Sequence, residues 1–182
     1  EALSQGCHVF MEKPMVTRAD HAYALAAKAE EAGKVFIIGY NTSCTPAFLY
    51  LREKVRSGAF GKLELVSGYL CQDWLRGTGG TWRQDPAFSG GGQAYDSGAH
   101  LLNSLVWTVE SRPAMVSAFV DNLGTQVDIN SVISIRFENG VMASICIGGN
   151  CARGTGDMSF IFEEGRVDID GWGGGYIDVY AN

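Results

Sequence analysis

The sequence predicts an α+β fold: a mainly antiparallel open sheet with helices on one face, preceded by one parallel βαβ unit. Three observations predict it. Two short, almost wholly apolar runs, Cys7–Met11 and Val35–Gly39, flank a helical stretch near the amino terminus. Beyond Val127 the apolar period changes from 3.6 to 2. Glycine is unevenly spread, with four residues in 1–60 and twenty in 61–182. The expected division is therefore residues 1–41, ending a parallel sheet, and residues 42–182, a second, mainly antiparallel domain.

Each element has its own justification. Glu1–Gly6 reads as the end of a helix that stops at a glycine, as expected of a piece of a longer chain. Cys7–Met11 fits a strand buried on both faces. Thr17 is placed to cap the next helix, with Asp20 three residues on. Ala19, Ala22, Ala26 and Ala29, with Leu25 beside them, form its inner stripe, and Gly33 ends it. A strand at Val35–Gly39 completes a right-handed crossover with parallel pairing. Pro46 starts a second helix, whose stripe is Ala47, Tyr50, Leu51 and Val55. Gly58 and Gly61 bracket its exit, and Leu63–Leu70 reads as a strand.

A long loop is expected from Asp73 to Gln93, carrying Trp74, Arg76, Trp82 and Arg83 among six glycines. Loops of this length inside domains are commonly functional. Ser97–Val109 is the third helix, with Ala99, Leu102, Val106 and Val109 expected to face the core. Ile129, Ser131, Ile133, Ile135 and Phe137 alternate with more polar neighbours. Asn139-Gly140 is a strong hairpin signal, and Val141, Ala143, Ile145 and Ile147 continue the pattern on the return. Glu164-Gly165 predicts a further hairpin, and Gly173–Tyr176 leads into a last strand.

Composition excludes several classes. A net charge of −6 opposes a binder of nucleic-acid phosphates. No apolar run approaches the roughly 18 residues of a membrane span. Cys7, Cys44, Cys71, Cys146 and Cys151 make an odd, scattered set with no CxxC. Buried, unpaired thiols in a reducing compartment, the cytoplasm, are expected. No GxGxxG, Walker, GxSxG or HExxH motif occurs, and no metal site is expected.

Two constellations remain. Glu12-Lys13-Pro14 follows a parallel strand at its carboxyl end, where ligands sit in open α/β sheets. A surface lysine beside a loop proline is the plainer reading of that tripeptide alone. The second is Gly90-Gly91-Gly92-Gln93-Ala94-Tyr95-Asp96-Ser97-Gly98-Ala99-His100-Leu101-Leu102-Asn103. At 3.6 residues per turn Asp96, His100, Asn103 and Trp107 share one stripe. A carboxylate one turn from an imidazole can raise its pKa and fix its tautomer. Asp96 as an N-cap and His100 as a satisfied interior histidine is the competing structural reading.

Together these residues resemble the Gfo/Idh/MocA oxidoreductases. The matches run in order: Ala2-Leu3, Gly6, His8-Val9, Glu12-Lys13-Pro14, Asn41, Pro46, Gly58 and Gly61, Trp82-Arg83, Gly90-Gly91-Gly92, then Asp96-x-Gly98-x-His100. The family often continues to an aspartate where this chain has Asn103, which removes one charge from the site. The resemblance implies that residues 1–41 end a Rossmann domain for NAD or NADP, with its glycine fingerprint upstream. It implies an NAD(P)-dependent dehydrogenase acting on a hydroxyl or carbonyl of a sugar, polyol or related small molecule.

Lys13, Asp96 and His100 are then the catalytic residues. Glu12, Lys13, Pro14, Trp82 and Arg83 would meet the cofactor, and Asn41, Tyr95 and Asn103 the substrate. The Lys13–Pro14 bond is expected to be cis, and the open sheet face to mediate a homo-oligomer. A non-catalytic sensor, or an assembly module, on the same fold is the alternative.

Overall fold

The structure, a computed structural model, describes residues 1–172 and 174–181. Gly173, in the glycine run expected before the last strand, and Asn182 lie outside the described residues. Two sheets organise the chain. The smaller pairs β1 (Val9–Met11) with β2 (Phe36–Ile38) in parallel, Val9 opposite Phe36. Helix α1 (Ala19–Glu31) makes the crossover between them. Its inner side is Ala22, Leu25 and Ala29, three of the five residues expected there.

Two details of this unit differ from expectation. Arg18, with extended backbone, occupies the N-cap position and makes no side-chain cap. Asp20 instead takes a bidentate pair from Arg18, and Thr17 plays no capping part. The first strand is also not buried on both faces, because Phe10 is 73% exposed. The two-stranded sheet has a helix on one side only, so its alternate side chains stay open.

The larger sheet has seven strands: β3 (Leu63–Cys71), β4 (Pro113–Asp121), β5 (Asn130–Phe137), β6 (Met142–Gly148), β7 (Thr155–Phe162), β8 (Gly165–Asp170) and β9 (Ile177–Ala181). Their order is β4-β5-β6-β3-β7-β8-β9. All pairs are antiparallel except β3 with β6. Asn139-Gly140 turns the β5–β6 hairpin, with Gly140 at φ 93°. Glu163-Glu164 separates β7 from β8, at the second predicted turn.

Helices α2 (Pro46–Ser57) and α5 (Gly98–Val109) cover one face of this sheet. Phe48, Leu51, Leu101 and Leu105 pack there with Val66, Leu70, Ile145 and Phe160. The Phe48 and Phe160 rings meet edge to face at 6.5 Å. Opposite-facing side chains of the same strands, Val132, Met142 and Cys146, are exposed. Strand β4 lies at the sheet's edge, beyond the reach of the helices, and all nine of its residues are exposed.

The buried stripe of α5 is Gly98, Leu101, Ser104, Leu105, Thr108 and Val109. Val106, expected in the core, is 38% exposed, and Ala99 and Leu102 are half-buried. Gly98 explains the rotation. A Cβ there would come 2.6 Å from Ile147 Cδ1, so the helix rests on the sheet by that glycine. The residues three, seven and ten positions on then face inward.

The stretch expected as a loop from Asp73 to Gln93 holds two helical turns, α3 (Trp74–Gly77) and α4 (Pro86–Ser89), and a 3₁₀ turn at Trp82–Gln84. Asp85 caps α4 through the Ala87 N–H at 2.9 Å, with Pro86 at its first position. That is a helix-start signal the composition of the stretch obscured. None of the five cysteines is buried. Cys146 points outward because its strand neighbours Ile145 and Ile147 take the core face.

Candidate active site

Lys13 stands just beyond the carboxyl end of β1, where a cis Lys13–Pro14 bond turns the chain. Asp96 comes from the turn before α5. Three glycines place that turn because the backbone approaches Asp128 closely. The Gly92 and Ala94 N–H groups donate to the Asp128 carboxylate at 2.6 and 2.7 Å. The Gln93 N–H donates to the Asp128 carbonyl at 2.9 Å. A Cβ on Gly92 would lie 1.9 Å from that carbonyl oxygen. The Asp96 N–H then donates to the Gly92 carbonyl at 2.9 Å. Asp96 is not the N-cap of α5; Ser97 has that position, with helical backbone.

This geometry brings Asp96 to Lys13, 83 residues away in sequence. Lys13 Nζ donates to Asp96 Oδ1 at 2.7 Å and to the Asp96 carbonyl at 3.1 Å. The Trp74 indole donates to Oδ2 at 2.9 Å, and Arg83 Nε lies 3.3 Å from the same oxygen. Burial pushes the Asp96 carboxyl up, but bonds from Lys13 and Trp74 and the charges of Lys13 and Arg83 outweigh it. The net shift is below the usual carboxylate range.

His100 lies one turn beyond Asp96, yet its polar neighbour is Thr42, with Nδ1 3.4 Å from Thr42 Oγ1. Tyr40 meets the imidazole edge to face at 6.0 Å, and Trp172 is 6.2 Å away. The pKa of His100 is lowered, against the sequence expectation. Burial is the largest cause and the Lys13 charge the next; Asp96 and Glu12 only partly offset them. Lys13 and His100 share a cleft of about 480 Å³ with Phe10, Glu12, Gly39, Asn41, Thr42, Thr45 and Trp172.

The remaining candidates lie around this centre in different ways. Glu12 and Asn41 line the cleft. Arg83 stacks on Trp82 at 4.7 Å while reaching Asp96, and Trp82 itself is 53% exposed. The Tyr95 hydroxyl donates to the Val16 carbonyl. Asn103 reaches Ser43 Oγ at 3.4 Å, and Trp107 packs beneath Arg52, whose guanidinium carbon is 3.9 Å from the ring centre. Sequence reasoning did not single out Thr42, Trp172 or Asp128 for the site, nor Trp74 as the partner of Asp96. Asp128 alone had a legible cue, a carboxylate just before a regular strand.

Residues 48–172 match the model of the Gfo/Idh/MocA C-terminal domain. This chain belongs to that family. Residues 1–40 match the model of the oxidoreductase family with an NAD-binding Rossmann fold. A curated Gfo/Idh/MocA-like relative is 1-carboxy-3-chloro-3,4-dihydroxycyclohexa-1,5-diene dehydrogenase of Comamonas testosteroni, 26% identical over 81% of this chain and 38% of that protein. Another is 1,5-anhydro-D-fructose reductase of Ensifer adhaerens, 25% identical over 78% of this chain and 43% of that protein. Among solved structures, GenD2 from gentamicin A biosynthesis, in complex with NAD, superposes with a TM-score of 0.82 at 26% identity. That match covers 93% of this chain and 49% of GenD2. The chain thus spans half or less of the length of these relatives. Among the described residues, no helix is long and apolar enough to cross a membrane.

Proposed function

We propose that this chain carries the substrate domain, residues 42–182, and the end of the dinucleotide domain, residues 1–41, of an NAD(P)-dependent dehydrogenase. Its substrate is a hydroxyl or carbonyl compound of the sugar or polyol class. The observation that carries the proposal is the convergence of Lys13, held by Asp96, and His100 on one cleft at the ends of parallel strands. The cleft suits a nicotinamide ring and a small polar substrate. Phe10 and Trp172 give it aromatic walls, and Glu12, Asn41 and Thr42 give it hydrogen-bonding groups. A bound nicotinamide supplies the hydride acceptor or donor.

The chain's own residues handle the proton. His100, kept neutral by burial and the Lys13 charge, takes the proton from the substrate hydroxyl. With Nδ1–H donating to Thr42, Nε2 carries the lone pair that does so. The Lys13 ammonium donates to the same oxygen and stabilises the developing alkoxide. Asp96 fixes the ammonium and balances its charge. Arg83 and Trp82 extend from Asp96 toward the cofactor side of the cleft, and Tyr95 and Asn103 shape the substrate side through Val16 and Ser43. The family relation and five free thiols support a reducing, cytoplasmic setting. The apolar open sheet face supports a homo-oligomer.

The test is reduction of NAD⁺ or NADP⁺ by the intact protein over a panel of aldoses, inositols and sugar alcohols, followed by nicotinamide absorbance. Turnover with at least one of them is expected. A folded protein that binds the dinucleotide but turns over no member of the panel overturns the reading in favour of a sensor.

A further inference from the structure

Three thiols that the proposed chemistry does not use lie at one end of the large sheet. Cys71 is the last residue of β3, Cys146 lies within β6, and Cys151 is in the loop that follows β6. Register places Cys146 opposite Tyr69 and Gly148 opposite Cys71. Cys146 is therefore a diagonal neighbour of Cys71, at about 7–8 Å between Cα atoms. A disulfide needs about 4.4–6.8 Å.

Cys151 is better placed. The Gln72 N–H donates to the Gly148 carbonyl at 2.9 Å, and the Cys151 N–H donates to the Gln72 carbonyl at 3.0 Å. The loop is thereby held beside the end of β3 at the spacing of paired strands, about 4.7–4.9 Å. The Cys71 and Cys151 thiols are in hydrogen-bond contact. Gly148 leaves room for this: Cys71 Sγ lies 3.2 Å from where a Gly148 Cβ would stand. Both thiols are partly open to solvent.

We propose that Cys71 and Cys151 form a reversible intramolecular disulfide, with a hydroperoxide as the oxidant. Burial first, and the neighbouring Cys151 next, hold the Cys71 thiol above its ordinary range, which makes it the slower nucleophile. Cys151 therefore reacts first. Its thiolate attacks the peroxide, the O–O bond breaks, and sulfenic acid and an alcohol (water, for hydrogen peroxide) result. Cys71 then loses its proton and attacks the sulfenic sulfur, expelling hydroxide as water. Two thiols and one hydroperoxide become one disulfide, one alcohol and one water. The new bond lies one residue from Gln72, whose side chain accepts from Gln93 at 3.1 Å. It lies three residues from Trp74, the indole on Asp96.

Hydrogen peroxide treatment of the native protein, alkylation of residual thiols and peptide mass mapping test this. Reactive thiols should fall from five to three, with a Cys71–Cys151 peptide that dithiothreitol releases. Cys146→Ser should retain that peptide. Cys71→Ser should leave a sulfenic acid on Cys151 that dimedone traps. A Cys71–Cys146 link, an interchain disulfide, direct over-oxidation of Cys151 or unchanged thiols would each overturn the proposal.

Discussion

Lys13 and His100 divide the work of moving one proton, and their environments make opposite demands. An ammonium needs a counter-charge, and Asp96 supplies it at 2.7 Å. An imidazole that acts as a base must stay neutral, and burial beside that ammonium keeps it so. The His100 ring, followed by NMR, should titrate below its ordinary value of about 6.5. Lys13→Met should move it upward, since a cation is removed and the Asp96 charge is freed. A downward move would show that Lys13 does not act on the ring. In the intact protein, His100→Ala should lower kcat by about 10²–10⁴-fold, the usual worth of a general base. Lys13→Met should cost at least as much. Unchanged kcat in both folded variants would remove them from the chemistry.

Elements owe their placement to a few close approaches. The triple glycine before α5 is a packing device around Asp128, and no phosphate is needed to account for it. Gly92→Ala puts a Cβ into backbone, so it should destabilise by about 3 kcal/mol or more, beyond ordinary overpacking. Thermal unfolding checks this, and a melting temperature within a degree or so of the parent would contradict the geometry. At the other end of α5, Glu110 adopts a left-handed backbone, φ 51°, and accepts from Arg56 and Arg52 of α2. The Arg56 bond, ahead of Arg52, lowers its carboxyl to about 2, against a smaller opposing push from burial. A depressed folded pKa stabilises above the unfolded value of about 4.3 and loses that contribution as pH falls toward 2. Glu110→Gln should therefore lower the melting temperature at neutral pH, with a gap that closes between about pH 4.5 and 2. A pH-independent gap would mean the carboxylate charge contributes nothing there.

Legibility at this scale followed the range of the interaction. The hairpin at Asn139-Gly140, the βαβ crossover and the start of α2 at Pro46 are set by neighbouring residues and could be read directly. The inward face of α5 could not, because Gly98 against Ile147 sets it from 49 positions away. Asp96 looked like the partner of His100 from helical spacing alone. Lys13, Trp74 and Arg83 arrive from elsewhere in the chain and take its oxygens. Strand β4 carries no alternation, since neither of its faces is buried, and so it gave no periodic signal.

At the scale of the molecule, the open side of the seven-stranded sheet is the largest unspent apolar surface. Met115, Val116, Phe119 and Val120 on β4 join Val132 and Met142 there and around the edge. Exposed patches of this extent mark association surfaces. Light scattering at high concentration should give a mass at least twice 19.6 kDa for this chain. Phe119→Asp with Val132→Asp should shift it toward the monomer. A monomeric parent would count against association through this face.

The position of β3 has a consequence for how the molecule comes into being. It pairs on one side with β6 and on the other with β7, both of which follow it by some seventy residues or more. During synthesis β3 leaves the ribosome with two bare edges and no partner for either. The floor beneath α5 is complete only after Phe162 has emerged, and Asp128 reaches the glycine turn only as β5 docks. The carboxylate that meets Lys13 is thus among the last parts of the chain to be set in place. A ribosome paused before Met142 would hold out a strand able to pair with any other it meets.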